Sequence, residues 1–239
     1  MNSQKSFWAV IPAAGVGKRM AADRPKQYLE LQNKTVMEHC LQRLLDHPDI
    51  SGVVVSLDEH DTYWADINFS HNKPVITCTG GAERYDSVMN ALVALKKSIS
   101  TEETEQTWVL VHDAARPCVR AEDITKLIES ASFDDHGGLL AIPVRDTMKR
   151  QQENNRVQTT VDRTGLWHAL TPQMFKLPLL ISALDNAHQK GLHVTDDASA
   201  MELDGYTPLL VEGHEDNIKI TRPFDLILAN LYLREQLND

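Results

Sequence analysis

The sequence predicts an α/β fold built on a mostly parallel sheet, and three observations carry that prediction. Short apolar runs of strand length alternate with stretches of helical periodicity, the pattern of βαβ units. The most unusual loop sequences, at 12–20, 80–87 and 113–117, each follow one of these apolar runs. Ligands of such sheets bind beyond the strand C-termini, so the three loops are expected along one edge. Finally, 239 residues with 42% hydrophobic and 24% charged side chains suffice for one domain, 1–239, with a full core.

Residues 7–11 read as a buried strand stopped by Pro12. Thr35 and Glu38 form a capping-box pair ahead of Val36, Met37, Cys40, Leu41, Leu44 and Leu45, which recur at helical spacing, with Pro48 just past the end. Residues 52–57 and 75–78 are β-branched apolar runs, hence strands, and the second leads into Gly80 and Gly81. Val88, Leu92, Leu95 and Ile99 mark a helix face. Residues 108–112 and 138–142 are two further buried strands. The polar stretch 143–166 breaks the rhythm. Its expected form is a hairpin arm with limbs at 145–149 and 157–161, the alternative being a disordered surface loop. A helix at 177–190, a short helix after Thr195, a strand at 208–211 and a C-terminal helix begun by Thr221, Arg222 and Pro223 complete the chain.

A formal net charge of −10 argues against nucleic acid or an anionic membrane as partner. Local clustering still permits an anion site, because Lys18, Arg19, Arg24 and Lys26 crowd one segment. Cys40, Cys78 and Cys118 form neither a disulfide framework nor a zinc motif, so a reducing cytoplasm is expected. The N-terminal residues lack a signal-peptide apolar region, and no stretch approaches a membrane span.

Four segments carry chemistry. In Pro12-Ala13-Ala14-Gly15-Val16-Gly17-Lys18-Arg19-Met20, small residues allow a polyphosphate close to the main chain, whose N–H groups can cradle its oxygens. Met20 stands where a dinucleotide fingerprint needs its third glycine, and Arg19 where a phosphate-binding Walker loop needs Ser or Thr. Alone, the segment is also compatible with a strand-to-helix turn bearing solvated bases. In Arg24-Pro25-Lys26-Gln27-Tyr28, Pro25 would hold Lys26 for a phosphate oxygen, and the alternative is a surface lysine after a turn. The segment from Gly80 to Val88 opens a helix, with glycines for close approach and Ser87 offering a hydroxyl to a base edge. His112-Asp113-Ala114-Ala115-Arg116-Pro117 ends a strand. Asp113 is placed to hold Mg²⁺ against a phosphate, Ala114 leaves room for a ligand, and Arg116 is a fork suited to phosphate.

These segments, together with Pro143–Lys149, Thr160–Arg163, Leu166–Gln173, Thr195–Ser199 and Asn217–Pro223, resemble the 2-C-methyl-D-erythritol 4-phosphate cytidylyltransferases of the non-mevalonate isoprenoid pathway, in that family's order from Val10 to about Leu228. The resemblance implies a Rossmann-like sheet of the nucleotide-sugar transferase type and a homodimer. It implies a dimerising β-arm at 143–166 that reaches into the partner's active site. The implied reaction joins CTP and methylerythritol phosphate into CDP-methylerythritol with release of pyrophosphate. Arg19 and Lys26 match the family's transition-state stabilisers, and Arg163 and Lys219 its residues that orient the attacking phosphate. The CTP positions matched are Pro12, Ala13, Ala14, Gly15, Gly17, Arg19, Lys26, Gly81, Ala82, Ser87 and Ala114, with Asp113 at the Mg²⁺ position. Asp113, Arg116, Thr147, Arg163, Thr171, Thr195 and Lys219 match positions around the acceptor. Ala82 departs from the acidic residue of some relatives.

The attacking phosphate is already anionic, so His112 and His168 have no proton to move and read as packed or surface imidazoles. A ribitol 5-phosphate cytidylyltransferase would share the CTP loop and differ around the acceptor. A catalytically silent nucleotide-binding module would be marked by loss of Lys26 or Asp113, and both are present. A nicotinamide oxidoreductase is disfavoured by Met20.

Overall fold

The computed structural model describes residues 5–15, 20 and 24–237. Gly17, Lys18 and Arg19 lie outside the described residues. The core is a seven-stranded sheet. Strand β1 (Ser6–Pro12) is central and pairs in parallel with β4 (Ile50–Leu57) and β6 (Thr107–Val111), and β4 with β5 (Val75–Thr79). On the other side of β6 the order continues through β10 (Trp167–Lys176) and β7 (Gly138–Pro143) to β11 (Leu209–Glu212). Within this sheet only β10 runs against its neighbours, antiparallel to both β6 and β7. A small hairpin of β2 (Glu30–Leu31) and β3 (Lys34–Thr35) turns through Gln32 and Asn33, both at positive φ, as a two-residue hairpin turn requires.

Alternation along the strands sorts their side chains to two faces. Ala9 and Ile11 point into a core with α1 (Val36–Leu45), α4 (Ala121–Ala131) and α7 (Pro223–Glu235). Trp8 and Val10 point into the opposite core with α2 (Arg84–Ser98), α5 (Leu177–Gln189) and α6 (Asp197–Leu203). The expected capping box forms. Thr35 Oγ1 accepts from the Glu38 amide at 3.1 Å, and the Glu38 carboxylate accepts from the Thr35 amide at 2.6 Å.

Three of the helices depart from the sequence expectation. Helix α4 has an apolar stripe of Ile124, Leu127, Ile128 and Ala131 at helical spacing that the sequence reading passed over. Helix α3 (Thr101–Gln106) has no such stripe and is held by Ser100, whose hydroxyl accepts from the Glu103 amide. The start of α7 is not capped by the Thr221 side chain. Instead the Asp225 carboxylate accepts from the amides of Thr221 and Arg222 and from the Thr221 hydroxyl.

Residues between β7 and β10 form a hairpin of β8 (Met148–Gln151) and β9 (Val157–Val161). Its first limb begins three residues later than the expected 145, and a turn with Asn154 and Asn155 at positive φ joins the limbs. A chain that leaves the sheet at Pro143 and returns beside its point of departure must run back antiparallel. Trp167 accordingly pairs with Pro143, and β10 enters the sheet reversed.

Removing the α1 cap should be felt globally, because six side chains of that helix are buried. Thr35→Ala is expected to lower unfolding stability by about 1 kcal/mol, read as a lower denaturant midpoint at unchanged slope.

Candidate active site

The ends of β1, β5 and β6 converge on one cavity at the C-terminal edge of the sheet. It is lined by Pro12, Ala13, Ala14 and Gly15 from the first loop, Gly81, Ala82 and Ser87 from the second, and Asp113 and Ala114 from the third. Lys26, Gln27, Glu83, Arg84, Ala115 and Lys219 complete the wall. Close packing of the first two loops explains the glycine pair. A Cβ on Gly80 would lie 2.6 Å from Ala14 Cβ, and one on Gly81 2.3 Å from Asp86 Cβ. The Ser87 hydroxyl accepts from the Gly81 amide at 3.1 Å and donates to the Glu83 carbonyl at 3.2 Å. Ser87 therefore shapes the loop with the hydroxyl that the sequence reading assigned to a base edge.

Lys26 starts one turn of 3-10 helix, Lys26–Tyr28, after Pro25. The buried Gln27 fastens this turn to the first loop by donating to the Ala13 carbonyl at 2.7 Å. Lys26 is not the surface lysine of the alternative reading. It is half-buried, and its ammonium donates to the Ile220 carbonyl at 3.0 Å.

At the centre is Asp113, 7% exposed. Lys219 Nζ lies 2.9 Å from one of its oxygens and Arg116 Nε 3.3 Å from the same one, while Arg84 Nε lies 3.4 Å from the other. Burial alone would oppose ionisation. The charges of Arg84, Lys219 and Arg116 outweigh it and hold the carboxyl far below the usual carboxylate range. Arg84 also places a nitrogen 2.8 Å from Asp197, which is fully buried. Its burial would lower the guanidinium pKa, but Asp197 and Asp113 more than reverse that, so Arg84 stays charged.

The structure relocates several residues that the resemblance placed around the acceptor. Arg116 is not an open phosphate fork. It is 8% exposed, with Nε on Asp113 and one terminal nitrogen donating to the Asn217 carbonyl at 2.6 Å. It braces the turn from behind the cavity wall, because Asp113 three residues earlier claims it. Thr171, 4% exposed, also lies off the wall, and its hydroxyl accepts from the Asp113 amide at 3.1 Å. Thr147 and Arg163 are exposed on the hairpin arm and do not line this chain's cavity. Thr195 is exposed before α6, its amide donating to the Ser199 hydroxyl. His168 is exposed and His112 wholly buried. Burial pushes the His112 imidazole pKa down to about 4.

Comparison with known proteins places this geometry. The family model described as 2-C-methyl-D-erythritol 4-phosphate cytidylyltransferase matches residues 7–235. A cytidylyltransferase of that name from Vibrio vulnificus (strain YJ016) is 52% identical over 98% of both chains. The crystal structure of a 4-diphosphocytidyl-2C-methyl-D-erythritol synthase superposes with a TM-score of 0.83 at 37% identity, covering 96% of this chain and 100% of the other. The Francisella tularensis cytidylyltransferase follows, with a TM-score of 0.81, 36% identity and coverage of 95% and 99%.

Sequence reasoning missed Arg84, Asp197, Gln27 and Asn217. The first two are charges at the starts of helices, where a solvated cap is the default reading, and only the fold brings together residues 113 positions apart. Arg84→Ala strands Asp197 in the core, where its other oxygen already has no partner. Asp197 is fully buried but the Arg84 side chain is 28% exposed, so the loss should fall below the about 3–5 kcal/mol typical of a pair buried on both sides, and thermal unfolding should still come clearly earlier. Adding Asp197→Asn in the same chain should recover part of the loss. Equal stability of the Arg84 variant and the parent would refute the buried pair.

Proposed function

We propose, since the chain belongs to the 2-C-methyl-D-erythritol 4-phosphate cytidylyltransferase family, that it transfers CMP from CTP to the phosphate of 2-C-methyl-D-erythritol 4-phosphate. The products are CDP-methylerythritol and pyrophosphate, on the route to isoprenoid precursors. The observation that carries this reading is the cavity, which sets a small-residue loop and a glycine pair opposite Lys26, Arg84 and Lys219 around one buried carboxylate. Small, close-packed walls suit a pyrimidine, and the bases suit a chain of phosphates.

In the proposed reaction an oxygen of the acceptor phosphate bonds to the α-phosphorus of CTP as the bond to the bridging oxygen breaks, and that oxygen leaves with pyrophosphate. No proton need move. The protein's work is to align two anions and offset their charge. Lys26, together with Arg19, is assigned to the growing charge on the phosphates. Lys219, held beside Asp113, is assigned to the incoming phosphate together with Arg163.

Among the described residues no group of three or more His, Cys, Asp or Glu side chains is gathered as a metal cage. Asp113 and Glu83 are the carboxylates on the wall, and Asp113 is already engaged by three cations. A hard divalent ion such as Mg²⁺, carried in on the triphosphate, would take Asp113 as its protein carboxylate in exchange for part of that ion pairing. Such an ion supplies further neutralisation of phosphate charge.

The arm supports a homodimer. A two-stranded hairpin alone is marginal in water, and both limbs here are exposed apart from the half-buried Met148 and Val161. A second copy would cover it and bring Thr147 and Arg163 to the partner's cavity. No helix among the described residues is long and apolar enough to cross a membrane. The three free cysteines favour a reducing compartment such as the cytoplasm.

The direct test is pyrophosphate release from CTP and Mg²⁺ with methylerythritol phosphate or ribitol 5-phosphate as acceptor. Turnover is expected with the first, and turnover with the second alone would overturn the assignment. Lys26→Ala should lower kcat by roughly 10²–10³, the scale for losing one preorganised transition-state contact. For the shared site, Lys26→Ala and Arg163→Ala chains are each expected to be nearly inactive. Mixed through unfolding and refolding, random pairing makes about half the dimers hybrids under two-fold symmetry. Each hybrid has one intact site, so roughly a quarter of all sites should regain activity. Hybrids that form but stay inactive would place Arg163 in its own chain's site.

A further inference from the structure

We infer that Asn90 is a positioning residue that sets the choice of nucleotide: it locks the Gly80–Gly81 peptide in one orientation and so keeps the second loop matched to cytosine against uracil. The inference rests on the function proposed above and deepens it to the selection of the base. It gives a part to a side chain that does not itself line the cavity.

Packing creates the need for a lock. A Cβ on Gly80 would collide with Ala14, and one on Gly81 with Asp86, so both positions require glycine. Two adjacent glycines leave the peptide between them free to flip, because glycine meets no steric bar to φ of either sign. A flip exchanges the places of one N–H and one C=O. Cytosine and uracil differ by the same kind of exchange. Cytosine sets an amino donor beside an unprotonated N3, and uracil sets a carbonyl beside N3–H. Gly81 and Ala82 line the cavity directly after this peptide, so its orientation decides which polar groups they turn to a base.

Both polar ends of the peptide are held by α2. The Gly81 amide donates to the Ser87 hydroxyl at 3.1 Å, and the Gly80 carbonyl accepts from Asn90 Nδ2 at 3.1 Å. Ser87 does not choose the orientation. Its hydroxyl can donate as well as accept, and the Glu83 carbonyl to which it now donates also accepts from the Ser87 amide. Turned round, the peptide would find a donor in the same hydroxyl. Asn90 does choose. Its Nδ2 donates a second bond, to the Thr79 carbonyl, also at 3.1 Å. Two carbonyls flank this nitrogen and a carbonyl can only accept, so the side-chain amide has one orientation. A flipped peptide would aim the Gly81 N–H at that NH₂, donor against donor. The Gly80 amide is tied to the Leu57 carbonyl at 2.7 Å, which fixes the peptide before, so the Gly80–Gly81 unit is the first that can turn.

The test compares CTP with UTP on the full chain, by calorimetric Kd without acceptor and by kcat/KM with methylerythritol phosphate. Asn90→Asp keeps the size and removes both donors, and Asn90→Ala removes the side chain. Each is expected to lower the CTP-to-UTP ratio about 3- to 10-fold, the scale of one net hydrogen bond. Asn90→Asp should have the larger effect, because its carboxylate repels the carbonyl and attracts the flipped N–H. KM for the acceptor and the melting temperature should change little, since Asn90 is exposed. A crystal structure of Asn90→Asp should show the Gly81 N–H turned toward position 90. A loss shared equally by CTP and UTP, the mark of a merely structural side chain, overturns the inference. So does an Asn90→Asp variant with an unturned peptide and the parental ratio. Nucleotide binding needs no acceptor, which separates the two readings. A parent that binds CTP in preference to UTP but transfers nothing to methylerythritol phosphate tells against the transfer reading, whereas variants that keep the parent's preference tell against Asn90.

Discussion

Asp113 is where three separately folded pieces of the chain meet. Its carboxylate is nearly out of water, a position that is costly for a lone charge. It is tolerated because Arg84 comes from the start of α2, Arg116 from its own turn, and Lys219 from the loop before α7. None of these cations is placed without the fold, and the fold around the site is not satisfied without them. The cluster also leaves a surplus of positive charge. With Lys26 nearby, cations outnumber carboxylates in the cavity of a chain whose formal net charge is −10. A polyanion entering there meets a local field opposite in sign to that of the whole molecule, which steers it to one place.

The reversed strand links this site to the arm. The excursion leaves at Pro143, and the returning strand begins beside it at Trp167, four residues before Thr171. The same strand then presents Gln173, which donates to Asp196 at 2.8 Å and accepts from the Ala198 amide, and so fixes the start of α6. Helix α6 in turn supplies Asp197 to Arg84. A strand that exists because a hairpin has to return therefore sets two supports of the Asp113 cluster, one through Thr171 and one through Arg84.

Much of the framework was legible because it follows from local rules. Apolar β-branched runs became the parallel strands, and Thr35 with Glu38 announced α1 through a three-residue spacing. Strand β10 was not legible. Pro172 within it argues against a strand, and its polar residues spoil the apolar run that marked the others. Helix α3, with only Thr104 buried, had no stripe to read. In the site, the three loops that follow strands line one cavity, and Lys219, matched through the resemblance alone, lines it too. The inward turn of Arg116 and Thr171 was hidden, because a side chain's partner is set by what the fold places beside it. Arg84 illustrates the limit best, since nothing in Glu83-Arg84-Tyr85 signals a buried carboxylate contributed by α6.

The tethering of both lysines before any phosphate arrives bears on how the site would bind. A free lysine side chain carries about 2 kcal/mol of rotamer entropy, much of which must be surrendered on contact with substrate. Here Lys219 is already drawn onto Asp113, and Lys26 onto the Ile220 carbonyl. Ile220 follows Lys219 directly, and its amide donates to the Ala115 carbonyl, so the two lysines and the Asp113 turn are fastened to one another through the main chain. On the reading proposed above, an incoming phosphate would find both ammonium groups partly ordered, and each would exchange a protein oxygen for a phosphate oxygen without first being gathered from solvent. Charge placed in advance is the form of stabilisation most effective when negative charge must be met without reorganisation. In this chain it is built from the same contacts that close the core at the sheet's C-terminal edge.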